Sequence, residues 1–133
     1  MQVPDFLTLA EAVQIHADQI ERYGGQAGLR DRGLLESALA QPEASFGGEW
    51  LHEDLYAMAA AYAYHLCQNH CFVDGNKRTG LACALTFLEM NRITLLDPDG
   101  KLEGAMLRVA SSKMSKEELG NLLRRLPVSP RRK

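Results

Sequence analysis

The chain has 133 residues, enough for one domain with a sizeable core. Charged residues make up 24% and hydrophobic ones 46%, an ordinary soluble balance, and a formal net charge of −2 argues against direct binding to nucleic acid. No uninterrupted apolar run has the length a bilayer needs and no signal peptide opens the chain, so no membrane partner is expected; three cysteines, an odd number without framework spacing, fit a reducing cytoplasm.

In chain order, Thr8 and Glu11 form a capping box that starts a first helix, whose apolar stripe is Leu9, Val13, His16 and Ile20 and which Gly24-Gly25 stops. His16 has no polar company nearby in sequence and reads as a partly buried core histidine rather than a catalytic one. Asp31 caps a short second helix with the face Leu34, Leu35, Ala38 and Leu39, ended by Pro42. From Gln41 to His52 every period breaks. Gly47 and Gly48 give mobility there, and Phe46 and Trp50 give something to grip with; the plain alternative is a loop whose aromatics tuck into the core.

Glu53 and Asp54 sit where the positive end of a helix favours acids. Leu55, Ala59, Tyr62 and Leu66 then mark one face and Tyr56, Ala63 and Cys67 another, as in a central, buried helix that delivers His70 to its end. His65, Cys67, His70 and Cys71 are all zinc-ligand types, but positions 65 and 67 face nearly opposite ways on a helix, so structural thiols are expected instead. A second apolar helix follows through Leu81, Ala84, Leu85 and Leu88, with Phe72 plugging the intervening loop into the core and Asn91 ending the helix in a left-handed turn. Ile93 to Leu96 reads as an extended connection or minor hairpin, and Asp97 to Gly100 as a turn. Two amphipathic helices close the domain, one on Leu102, Met106 and Val109, the other on Leu119, Leu122, Leu123 and Leu126 with a capping box at Ser115. The domain spans 1–126, and 127–133 reads as a disordered basic tail.

The chemistry concentrates between the two apolar helices, in His70-Cys71-Phe72-Val73-Asp74-Gly75-Asn76-Lys77-Arg78-Thr79. A charged turn beside buried helices is costly to keep without a use. A helix starting near Asn76 offers free backbone N–H groups and a positive dipole end, which together bind anions. Gly75 permits a conformation closed to other residues, and Lys77 and Arg78 add charge, the arginine with a fork that matches phosphate oxygens. Asp74 would repel a phosphate unless a divalent cation sat between them, which implies Mg²⁺. His70 is placed to accept a proton near neutral pH.

This loop resembles the active-site loop of the Fic fold, and specifically its Doc (death-on-curing) toxin branch, with the pattern H-x-F-x-[D/N]-x-N-K-R. Glu21 to Asp31, E-R-Y-G-G-Q-A-G-L-R-D, and G-L-L-E-S-A-L from Gly33 also resemble Doc-like proteins. Typical adenylylating Fic enzymes carry glycine where this chain has Lys77 and a second arginine where it has Leu81, so both departures favour the Doc branch. The resemblance implies an all-α Fic/Doc-type bundle of about six helices, with a central buried pair flanking the loop.

It also implies a toxin of a toxin–antitoxin system, a kinase that moves a phosphoryl group from ATP to a Ser or Thr hydroxyl of a target, elongation factor Tu by family, and so inhibits translation. In that scheme His70 is the base, Gly75, Asn76, Lys77 and Arg78 hold phosphate, Asp74 holds Mg²⁺, and Ser45, Phe46, Gly47, Gly48, Glu49 and Trp50 form a flap that positions the target segment. The self-inhibitory pattern [S/T]-x-x-x-E-[G/N] does not occur, so the expected antitoxin is a separate chain. A Fic-type AMP transferase and a non-catalytic phosphate- or protein-binding module are the alternatives.

Overall fold

A computed structural model describes residues 2–130. Six helices carry it: α1 (Leu9–Tyr23), α2 (Arg32–Ala40), α3 (Leu55–Asn69), α4 (Asn76–Met90), α5 (Lys101–Ala110) and α6 (Lys116–Arg125). The fold is all-α as expected, apart from a two-stranded hairpin of β1 (Ser45–Phe46) and β2 (Glu49–Trp50).

The starts of the helices follow the local chemistry. Both expected capping boxes form, Thr8 with Glu11 and Ser115 with Glu118, and Asp31 and Asp54 cap α2 and α3 by accepting from Leu34 N and Ala57 N. On α1 the inward face is Ala12 and His16, while Val13 is 39% exposed, so the stripe is rotated from the one expected. Alanine is small enough to bring α1 close to the bundle, and Val13 is left at the rim.

The core is centred on α3, which is buried from Met58 to Ala63 and again at Leu66 and Cys67, and which packs against α2, α4, α5 and α6. Alanines and a glycine set its distance from α4: a Cβ added to Gly80 would come 2.8 Å from the carbonyl oxygen of Ala63. Tyr62 fills the middle of the core and accepts a hydrogen bond at its hydroxyl from Leu7 N, 2.9 Å away. At the seam of α3 and α6, Arg124 grips Asp54 with Nε and Nη2, at 2.8 and 2.9 Å.

Two local expectations are corrected, at the end of α4 and at the tail. The left-handed residue after α4 is Arg92, not Asn91, whose amide is instead spent on Asp5 and the Phe87 carbonyl. The extended run near Leu95 makes an antiparallel bridge with Val128. That bridge, with Leu96 N donating to Pro127 O and Ser129 N to Thr94 O, holds the chain as far as Ser129, where a frayed tail was expected from residue 127. Residues 131–133 of that tail lie outside the described residues.

Candidate active site

The loop between α3 and α4 begins with a backbone feature that the sequence did not announce. His70 is the C-cap of α3 and sits in the left-handed region, φ 48 and ψ 51, which a residue with a Cβ rarely adopts. Its side chain is exposed and makes no hydrogen bond among the described residues. At the far end Gly75 is also left-handed, φ 75 and ψ 21, and α4 starts at Asn76. The first N–H groups of α4 therefore lack intrahelical partners. Thr79 N is the first to close a helical bond, onto Gly75 O.

Asp74 is exposed and already engaged. Its Oδ2 accepts from Gln26 N at 3.0 Å and its Oδ1 from Gly75 N at 2.8 Å. The N–H of Gln26 first, then that of Gly75, hold its carboxyl below the usual carboxylate range, and the charges of Arg78 and Lys77 act in the same direction. It is thus ionised at neutral pH. Each oxygen keeps a further lone pair, which is the donor chemistry a hard divalent cation takes, so Asp74 fits the role of metal holder.

Asn76 has a different use from the one expected. Its amide accepts from Phe72 N at 3.0 Å and donates to Phe72 O at 2.9 Å, so the side chain splints the loop. Arg78 is partly tied, with Nη2 donating to Gly24 O at 2.8 Å and the guanidinium 5.8 Å from the centroid of the Tyr23 ring. Lys77 is exposed and belongs to no ion pair among the described residues. Lys77 and Arg78 stand at one end of a cleft of about 510 Å³, which continues between Tyr23 of α1, Leu81 and Leu85 of α4, and Met106 and Leu107 of α5.

The loop is packed from below. Phe72 is 2% exposed, the plug that was expected, and lies flat on the ring of His16, with centroids 3.9 Å apart and planes at 6°. His16 is 4% exposed, and its Nε2 donates to Asp74 O at 2.8 Å. It is a buried histidine whose polar company comes from the loop and not from its sequence neighbours.

The residues expected to form a flap fold as the hairpin, with Ser45 opposite Trp50 and Phe46 opposite Glu49. Gly47 and Gly48, φ 60 and 82, supply the two positive-φ positions of its turn. Its two aromatics differ in use. Phe46 is 83% exposed, whereas Trp50 donates from its indole N–H to Gln2 O at 2.9 Å and meets Phe6 edge-on at 5.5 Å. Trp50 anchors the hairpin, and Phe46 stands out from the core. The cysteines are all buried; burial pushes the Cys71 thiol up to about 11 and the Cys83 thiol up to about 12, so neither is a thiolate nucleophile at neutral pH.

The Fic/DOC family model matches residues 6–88, a span that holds the hairpin, α3, the loop and almost all of α4. The chain belongs to the Fic/DOC family. It is similar to the protein kinase doc of Escherichia phage P1, with 33% identity over 116 residues, or 87% of this chain and 90% of that protein. It is similar also to the toxin Doc of Mycolicibacterium smegmatis, with 45% identity over 73 residues, which is 55% of this chain and 56% of that toxin. The family match ends before α5, so the Met106–Leu107 wall of the cleft is built outside it.

Proposed function

We propose that this protein is a Doc-like toxin that transfers the terminal phosphoryl group of ATP to a Ser or Thr hydroxyl of a target protein in the cytoplasm. By family resemblance the target is elongation factor Tu, and the consequence is inhibited translation. The observation that carries this reading is the start of α4, where N–H groups without intrahelical partners, Lys77 and Arg78 directly follow an ionised Asp74, and where the Asp74 carboxylate and the Arg78 guanidinium both border Gly25. Within the Fic/DOC family, lysine at 77 in place of glycine and leucine at 81 in place of a second arginine favour phosphoryl over AMP transfer. The homology to a protein kinase doc supports the same choice.

The residues divide the work by position. The N–H groups of Asn76, Lys77 and Arg78 and the two cationic side chains hold the phosphates, and Gly75 lets the main chain approach them. His70, exposed and free of partners among the described residues, removes the proton of the incoming hydroxyl. Asp74 would hold Mg²⁺, which when bound neutralises phosphate charge. Most of the catalysis then comes from positioning and from charge already in place. Phe46 on the hairpin steadies the target segment. Inhibition falls to an antitoxin on a separate chain, whose disordered segment folds into a groove beside the site. No helix among the described residues is long and apolar enough to cross a membrane.

Incubation with a cell extract and ATP labelled at the γ- or the α-phosphate tests the reading, with a His70→Ala form alongside. Label from the γ position alone, lost in the variant, is the expected result. Label from the α position would assign AMP transfer. No label from either, with toxicity in cells unchanged by His70→Ala, would leave a binding module.

A further inference from the structure

We infer that Arg30 is a positioning residue for His70, gripping the main chain that holds the imidazole in its left-handed conformation. The guanidinium donates from Nε to His70 O at 2.7 Å and from Nη2 to Asn69 O at 3.2 Å. These are the terminal carbonyls of α3, groups that a helix leaves without partners and where its dipole is negative, so a cation is the favoured cap. Glycine is the residue usually found at such a left-handed helix end. Here a histidine occupies it, φ 48, and something outside the loop has to hold it there.

The neighbourhood of Arg30 is built for that task. Arg30 N and Asp31 N both donate to Cys71 O, at 2.8 and 3.0 Å, while Val73 N donates to Gly28 O at 3.0 Å and Leu29 bridges Phe72. Asp31 in turn caps α2, and Asn69 Nδ2 donates to Leu34 O at 3.0 Å. The connection between α1 and α2 thus clamps both sides of His70, and among the described residues only Arg30 reaches its carbonyl with a side chain. Arg30 is exposed and packs no core, so its removal leaves the bundle intact. Without it, the residue at 70 can relax toward the right-handed or extended regions, which redirects the imidazole.

The turnover arm of the test rests on the kinase reading, and the spectroscopic arm does not. Arg30→Ala and Arg30→Lys are compared with the wild type for phosphoryl transfer and for the α-carbon resonance of isotope-labelled His70, a resonance that follows φ and ψ. Arg32→Ala, which removes an exposed partner of Glu36, is the control. In Arg30→Ala the His70 resonance moves, and kcat falls by about ten- to a hundredfold with KM for ATP nearly unchanged, because the phosphate cradle is untouched. Lysine, with a single ammonium nitrogen where arginine has a planar fork, restores part of both, and Arg32→Ala changes neither. A His70 resonance unmoved in Arg30→Ala overturns the inference whatever the turnover does. A wild type without any transfer refutes the kinase reading alone, since the resonance still decides the role of Arg30. Should Arg30→Ala fail to fold, the resonance of Arg30→Lys decides on its own, a displaced signal supporting the inference and an unmoved one overturning it.

Discussion

Gly80→Ala is the substitution that the central helix pair is least able to absorb. The new Cβ would lie 2.8 Å from Ala63 O, 3.4 Å from its Cα and 3.5 Å from its carbonyl carbon. All three atoms are main chain of α3, so no side chain can rotate out of the way. A carbon–oxygen contact needs about 3.3 Å, so the helices must part by about half an ångström. Overpacking of this kind costs about 1–3 kcal/mol, and the upper end applies because backbone has to move. Against it, alanine is favoured over glycine in a helix interior by about 1 kcal/mol, which leaves a net loss of about 2 kcal/mol. Gly120→Ala makes the internal comparison. Its Cβ would meet Ala60 Cβ at 3.6 Å and Ala57 Cα at 3.7 Å, ordinary contacts, so the propensity gain survives and stability rises by about 0.5–1 kcal/mol. Urea unfolding at neutral pH reads both, with the slope unchanged and the midpoints displaced in opposite directions. Gly80→Ala at or above wild-type stability would refute the claim that α3 and α4 touch backbone to backbone. Because Gly80 lies one turn after Asn76, the same variant is expected to weaken the proposed phosphate binding.

Other consequences follow from side chains that hold the loop and the α3–α6 seam. Asn76→Ala strands the N–H and C=O of Phe72 and should cost about 2–3 kcal/mol in urea unfolding; Asn76→Asp, which can still accept, should recover part of it. Burial raises the carboxyl of Asp54, but the hydrogen bonds from Arg124 and from Ala57 N outweigh it, so the folded state keeps the charge more readily than the unfolded one. Its contribution is therefore present above the ordinary carboxylate range and lost as pH falls through the lowered folded value, and urea midpoints of Asp54→Asn taken down to about pH 2 should show a flatter acid limb than the wild type. His65 is pushed down to about 4, by burial first and then by the charges of Lys116 and His52, while its unfolded value is 6.5. A depressed histidine favours the folded state when neutral, so its contribution is complete above 6.5 and lost between there and about 4; His65→Gln should reduce the loss of thermal stability over that window, and parallel decline of the two proteins would refute it.

Much of the fold could be read in one dimension because its signals are local. Capping boxes at Thr8 and Ser115, caps at Asp31 and Asp54, and the apolar periods after them fix where helices start and which way most of them face. Val13 misled because hydrophobicity does not say which of two adjacent apolar residues sits at the closest approach, and there the smaller Ala12 fits. The hairpin was hidden because two-residue strands have no period to detect; Gly47-Gly48 signalled a turn, but the partner of Trp50, Gln2, is 48 residues away. The chemical residues of the loop were legible as types in sequence, and their uses were not. His16, Gln26 and Arg30 touch the loop only after α1 and α2 have folded against α3 and α4, so nothing next to them in the chain announces a role. The one available hint was that Gln26 and Arg30 fall within the Glu21–Asp31 run that resembles Doc-like proteins.

The uses of those three residues bear on how the loop could work at all. A charged turn that closed only around its ligand would lose part of the binding free energy to the ordering of its own backbone. In this chain the main-chain oxygens of Asn69 and His70 go to Arg30, that of Cys71 to the amides of Arg30 and Asp31, that of Phe72 to Asn76, and that of Asp74 to His16. The carboxylate of Asp74 is oriented by Gln26 and Gly75 in the same way. The loop is therefore ordered when the domain folds, most of its carbonyls are bonded within the protein, and the N–H groups at the start of α4 are left for the proposed anion. The side chains of Lys77 and His70 make no hydrogen bond or ion pair among the described residues, and these are the two groups to which the proposed chemistry gives the charge and the proton. The residues that hold the loop and those that would act on a ligand are thus largely different sets, so substitutions in the first should change turnover by displacing the second.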